Sequence, residues 1–402
     1  MKIPAVTSLL ALNDVQIAQA SEGHSSNVVS MPIHLLYGSL SKVTTSVMVG
    51  SANKKIGQSI EVVVDYGSSG FWVFGPNATI NYGSQYLGFQ GACNTTPQFY
   101  YHTDDFKVSN FSGTYSYGGN SKILDADKAV NDTLYFPSSL PGPSIPNIKV
   151  ALVSSGTVRQ YVADGDPCPG LSYDYGIMGL ASTVGVDSGP NIKSELLSQG
   201  RISSSIVSMY FDSPPANSPP TYNYTGTVLF GSLPPSSSYT GSPVSVPIVT
   251  PAGEGEYYIS LPTIAHGNTS IAFDYPDTTC LVDSGSLALS LPYSSDNTEF
   301  FQATGFSNYD YDVAYPSACE DIPRDLTLDF TFKNATTSTT VKLPYRYLAR
   351  GSSGPGGVTP EGMCIMSISL GSECTFGAPW FLGSSVGVDD DEKVVWIAQA
   401  KL

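Results

Sequence analysis

Charge is scarce in this chain of 402 residues: Asp, Glu, Lys and Arg make up 13% of it, about half the usual share of roughly 25%. Basic residues are scarcer still, 18 against 34 acidic ones, for a formal net charge of −16. A nucleic-acid contact face needs the opposite sign, so that class of partner is not expected. Only four histidines occur and none sits in a His-Glu-x-x-His string, which argues against a zinc hydrolase. The six cysteines include no C-x-x-C pair and no nearby histidine, so metal ligation by them is not expected either. No glycine-rich loop follows a strand and opens a helix, as a phosphate cradle would require. Apolar runs are too short to span a bilayer, and the ending Ala398-Gln399-Ala400-Lys401-Leu402 has no hydrophobic tail, so neither a membrane span nor a lipid anchor is expected. No cofactor is implied.

What the chain has instead is apolar and turn-forming residues: 41% hydrophobic, with 25 Tyr, 17 Phe, 39 Gly and 29 Pro. That composition suits short strands and many turns, an all-β architecture. The length exceeds what one core usually organises, so two domains are expected. The acidic balance fits solubility, and equally a protein that works in acid, where its carboxylates protonate and self-repulsion fades. Residues 1–20 read as a signal peptide: Lys2, a modest apolar stretch from Ile3 to Leu12, and Ala18-Gln19-Ala20 as a cleavage pattern. Sequons at Asn77, Asn94, Asn110, Asn131, Asn223, Asn268 and Asn334 agree with a secreted glycoprotein. In that setting the even cysteine count is expected to form disulfides. The Pro-rich stretch from Asp212 to Asn223 cannot join a strand ladder freely and reads as a linker. The expected organisation is a lobe over 21–212, a linker over 213–226 and a second lobe over 227–402.

Two strings on either side of that linker carry the chemistry. Val62-Val63-Val64-Asp65-Tyr66-Gly67-Ser68-Ser69 and Cys280-Leu281-Val282-Asp283-Ser284-Gly285-Ser286 each set an acid at the end of an apolar run and follow it with a small turn. Each Asp should therefore sit where a buried strand meets a tight loop. One such string alone is common as a strand followed by an Asx-type turn; two in one chain suggest related lobes, each contributing one acid. With the flanks Gly70-Phe71-Trp72-Val73 and Leu287-Ala288-Leu289-Ser290-Leu291-Pro292, the sequence resembles the pepsin-like aspartic proteases, most closely their secreted fungal members. Weaker likenesses run over roughly residues 40–400: Gly176-Ile177-Met178-Gly179-Leu180, Thr227 to Gly231, Tyr239 to Pro243, Thr375 to Leu382, and the closing Val394 to Ala400.

The resemblance implies a bilobal pepsin-like fold with a cleft between the lobes and a dyad of Asp65 and Asp283. Peptide hydrolysis without metal or covalent intermediate needs a base for water and an acid for the carbonyl oxygen or leaving nitrogen. Two adjacent carboxyls that retain one proton between them supply both. By the same resemblance, Gly67 and Gly285 let backbone amides approach the carboxylates, Ser68 and Ser286 bond their outer oxygens, and Ser284 supplies a hydroxyl that bonds across to the other lobe. A hairpin flap, Phe111 to Asn120, carries Gly118 in its turn and the substrate-covering tyrosine, for which both Tyr117 and Tyr115 are candidates; Trp72 would support it. Cys319 and Cys364 match the family's C-lobe disulfide, and the pairing of Cys93, Cys168, Cys280 and Cys374 is open. A polypeptide substrate, a monomer, and an extracellular or vacuolar location are expected.

The match has departures. Tyr66 stands where Thr or Ser is usual, and a phenol cannot place its hydroxyl near its own Cα, so overpacking is expected there. Ala378 replaces the usual Asp of the closing segment. Ser21 to Thr45 offers only Lys42 as a strong base, so the family's basic-propeptide autoinhibition is not expected. The run Asp389-Asp390-Asp391-Glu392-Lys393 reads as a solvated turn. These departures keep a second reading open, a catalytically impaired homologue that binds peptides or a partner protein in the same cleft. A serine-protease reading of Asp283-Ser284-Gly285 with His266 lacks the flanking signatures.

Overall fold

The computed structural model describes residues 27–35, 42–49, 58–84, 88–94, 107–135, 145–159, 175–183, 189–215, 218–220, 222–250, 255–310, 312–350 and 357–402. The leader reading of residues 1–20 and Cys168 lie outside them.

Each Asp motif ends a strand, and the two are wired alike. In the first half, strand Gln58–Asp65 pairs antiparallel with Val43–Val49 and parallel with the short strand Gly176–Gly179, which places Gly179 beside Asp65. Strand Phe71–Ser84 leaves the motif and flanks that same short strand. In the second half, strand Thr279–Val282 runs parallel to Cys374–Phe376, which Leu289–Leu291 joins after its own motif. Val62, Val63, Val64, Cys280 and Val282 are buried. A run of β-branched residues at such sites fits a strand covered on both faces.

Strands of both halves meet in one large sheet. Val207–Phe211 pairs on one side with Tyr224–Phe230 and on the other with Ser384–Asp389, which continues into Val394–Ala400 and Tyr239–Pro247. On the other side, Tyr224–Phe230 also pairs with Val29–Leu35. The Pro-rich stretch thus joins two neighbouring strands of this sheet, and its last residues, Tyr224 to Gly226, are already strand. One hydrophobic cluster runs continuously through both halves, and a smaller one built on Trp72, Phe74, Leu124 and Tyr175 lies beneath the hairpin of Lys107–Tyr117 and Lys122–Tyr135.

Apolar residues at helical spacing from Ile192 to Gln199 read as a helix in the sequence, and one is present as Ile192–Ser198. Asn191 caps it, its side chain accepting from the Ser194 amide while its own amide donates to the carbonyl of Ser69 at 2.7 Å, next to the first motif. Two disulfides hold the second half. Cys319–Cys364 ties the turn Cys319–Asp321 to strand Cys364–Ile365, and Cys280–Cys374 bridges the parallel pair behind the second motif.

Candidate active site

The two motif loops face each other and repeat the same bonding pattern. Asp65 Oδ1 accepts from the Gly67 amide at 2.8 Å and Oδ2 from the Ser68 hydroxyl at 2.5 Å. Asp283 repeats the pattern, with Oδ1 accepting from Gly285 N at 2.8 Å and Oδ2 from Ser286 Oγ at 2.6 Å. The loops cross over: a Cβ on Gly285 would lie 2.5 Å from Asp65 Oδ1, and one on Gly67 would overlap the Asp283 carboxyl. Each glycine is therefore needed as the floor for the opposite acid.

Support from behind is also duplicated. Ala181 N donates to the Ser68 carbonyl and Leu180 N to the Asp65 carbonyl at 2.7 Å, while Ala378 N donates to the Ser286 carbonyl and Asp283 N to the Phe376 carbonyl. The backbone of Ala378 makes this contact although its side chain lacks the usual carboxylate.

Asp65 is 4% exposed. Burial pushes its carboxyl well above the ordinary carboxylate range, and the Asp283 charge and the hydrogen bond between the two side chains push it further; Ser68 and Gly67 act the other way. Like charges this close resist joint ionisation, so the pair holds a proton.

Between the halves, Ser284 is fully buried and its hydroxyl donates to the Val64 carbonyl at 2.7 Å and accepts from the Tyr66 amide at 3.0 Å. The side chain of Tyr66 turns away from this contact. It is fully buried without the expected overpacking, because its ring stacks on Phe381 (centroids 5.8 Å apart, 6° between planes), meets Tyr257 edge-on at 6.2 Å, and sends its hydroxyl to the Val207 carbonyl at 2.9 Å. The second half of the chain supplies an aromatic slot where a threonine would need none.

Of the two flap candidates, Tyr117 faces the site. Trp72 Nε1 donates to its hydroxyl at 2.5 Å, and that hydroxyl also bonds Ser68. Tyr115 lies in the smaller hydrophobic cluster, 6.0 Å from the Trp72 ring, and its hydroxyl is buried with no hydrogen-bond partner among the described residues. Gly118, Gly119 and Asn120 turn the hairpin tip with φ of 54°, 61° and 68°, the left-handed region that favours Gly and Asn. Lys122, opposite Tyr117 in the ladder, sets its ammonium 4.8 Å from the Trp72 ring centre.

One contact adds to the reading from sequence, and one reading needs correction. The register of Thr44 with Val63, continued two places, brings Lys42 level with Asp65, and the half-buried Lys42 ammonium interacts electrostatically with both Asp65 and Asp283; burial lowers its pKa while the two acids raise it. Lys42 therefore adds positive charge to the surroundings of the dyad. The acidic run is not wholly solvated: Asp390 pairs with the buried Lys193 and accepts from the Tyr257 hydroxyl at 2.9 Å. Neither was legible in the sequence, because each contact joins distant segments and no local spacing signals it.

Comparison with known proteins agrees with this geometry. The family model described as "Eukaryotic aspartyl protease" matches residues 43–386, and the chain belongs to that family. It is 28% identical over 358 residues to an acid protease of Saccharomycopsis fibuligera, covering 86% of this chain and 78% of that protein. Candidapepsin-2 of Candida parapsilosis is 27% identical over 304 residues, 73% of this chain and 61% of its own length. Among solved structures, the aspartic proteinase from Irpex lacteus superposes with a TM-score of 0.63 at 18% identity, over 93% of this chain and 98% of that one. The fold is the all-β, pepsin-like one.

Proposed function

We propose that this chain is an acid-acting aspartic endopeptidase in which Asp65 and Asp283 together activate water against a polypeptide bond. The observation that carries the reading is the matched pair of carboxyls, each held by its own loop's amide and hydroxyl and each floored by the other loop's glycine. With one proton on the pair, the ionised carboxylate takes a proton from water as its oxygen attacks the scissile carbonyl carbon. The protonated carboxyl gives its proton to the carbonyl oxygen. The resulting neutral gem-diol collapses as a proton passes to the departing nitrogen and a diol hydroxyl returns its proton to the dyad, so the C–N bond breaks and the starting protonation is restored. Tyr117, tethered by Trp72, covers substrate in this reading. The lobes, a secreted or vacuolar location with residues 1–20 as leader, glycosylation and a monomeric state are parts of the same proposal.

One observation favours the rival, a peptide-binding homologue without turnover: Tyr66 gives the opposite lobe no side-chain hydroxyl at the dyad. Incubation with a denatured protein across about pH 2 to 7, with and without a statine inhibitor, separates the two. Statine-sensitive cleavage in acid is the expected result. Statine binding without cleavage at any pH would establish the rival.

A further inference from the structure

The chemistry of the two motifs leaves a buried cation unused. Lys193, on the capped helix, is 4% exposed and uses all three donors: Asp390 Oδ2, the Tyr257 hydroxyl at 2.8 Å and the Leu180 carbonyl at 3.2 Å. The Tyr257 hydroxyl in turn lies 2.9 Å from Asp390 Oδ1 and 3.2 Å from the Leu180 carbonyl. Lys193, Leu180 and Tyr66 belong to the first half of the chain; Asp390, Tyr257 and Phe381 belong to the second. Every one of these contacts except Lys193 to Leu180 and Asp390 to Tyr257 crosses between halves.

Two paths lead from this cluster to the dyad. Leu180, whose carbonyl takes the Lys193 and Tyr257 contacts, donates its amide to the Asp65 carbonyl. Tyr257 also meets the edge of Tyr66, which is next to Asp65 in the chain and stacks on Phe381. A buried lysine with its charge paired and every donor used holds its neighbours in one arrangement, and removing one partner leaves a costly unpaired charge.

We propose that Lys193, Tyr257 and Asp390 are positioning residues for Asp65, which with the Tyr66 ring form an interlobe lock in place of the hydroxyl that a threonine at position 66 would set beside the dyad. This rests on the dyad reading above. Tyr66 is then an integral part of the site, fitted to an aromatic slot from the other half and set beside an ion pair that spans the two halves, and its replacement by the usual threonine empties the lock.

The test compares wild type with Lys193→Met, Asp390→Asn, the double variant, Tyr257→Phe and Tyr66→Thr, with active sites counted by statine titration and melting followed separately. The expected result is a kcat per titrated site lowered about tenfold in Lys193→Met with KM within about twofold, as for groups that act on the transition state through another residue. Tyr257→Phe, which keeps the ring, should fall in the same direction. The double variant, which removes both charges, should recover part of the loss. Tyr66→Thr should lower kcat. Melting temperatures that fall while kcat per site holds in both Lys193→Met and Tyr257→Phe would overturn the lock, and so would a gain in kcat for Tyr66→Thr. Inert wild type indistinguishable from Asp65→Asn would instead defeat the dyad reading. The lock is then judged on the dyad's titration, read from the pH dependence of melting in wild type and Tyr257→Phe, which removes no charge in that range: a shift supports it and identical profiles overturn it.

Discussion

Asp65 carries a stability signature of its own. Its folded carboxyl is held above its unfolded value, chiefly by burial and then by Asp283, so between those two values the folded state binds a proton that the unfolded chain has released. Stability from this group is therefore complete below the unfolded value and is lost as pH rises through the window to the raised folded value. Asp65→Asn cannot ionise and escapes that loss. Relative to wild type the variant should gain at least about 1.4 kcal/mol, the equivalent of one unit, between about pH 3 and pH 7; a stability difference that does not change with pH would contradict the raised carboxyl. Gly285 tests the crossed loops from the other side. A methyl group there falls 2.5 Å from Asp65 Oδ1, so Gly285→Ala should abolish cleavage while a melting transition remains. Activity within about tenfold of wild type would mean the two carboxyls are not held as closely as the loops imply.

Among the elements, the second motif strand is stapled where the first is not. Cys280 and Cys374 face each other in the parallel pair, three residues before Asp283 and three before Gly377. A bridge closing so long a loop typically contributes about 2–5 kcal/mol, and here it also fixes the register that delivers Asp283. Replacing both cysteines by alanine should lower stability in denaturant titration by roughly that amount, with kcat per titrated site nearly preserved below the melting transition, since Phe376 and Ala378 still hold the loop through backbone bonds. Unchanged stability would show that the strand pairing alone sets the register.

At the level of the whole molecule, the surface carries a readable division among the sequons. Asn110 and Asn268 are exposed, whereas the Asn334 side chain is occupied: its amide donates to the Ser245 carbonyl at 3.0 Å and its oxygen accepts from the Thr336 and Thr337 amides. Glycan-site mapping by mass spectrometry of protein from a eukaryotic secretory host should find sugar on Asn110 or Asn268 and none on Asn334; occupancy at Asn334 would mean that its turn forms only after modification. The all-β class and both acids were legible in the sequence because their determinants are local, an apolar run and a turn within eight residues. The helix from Ile192 was legible for the same reason. The Tyr66 slot, the Lys42 charge in the surroundings of the dyad and the Lys193–Asp390 pair were not, since Phe381, Tyr257 and Asp390 are far from their partners in sequence and a buried carboxylate looks like any other in a run of acids. Cys280 and Cys374 likewise became a pair only once the parallel strands set them side by side.

In the proposed enzyme, two unequal motifs make one working dyad. Its most direct test is the rate of polypeptide cleavage in acid by wild type, Asp65→Asn and Asp283→Asn, each normalised to folded protein. Either substitution alone should lower the rate by on the order of 10³-fold or more, and the two together should cost little beyond either one, because the carboxyls act as a unit. Cleavage by wild type that survives either substitution, or is absent from wild type altogether, would contradict it.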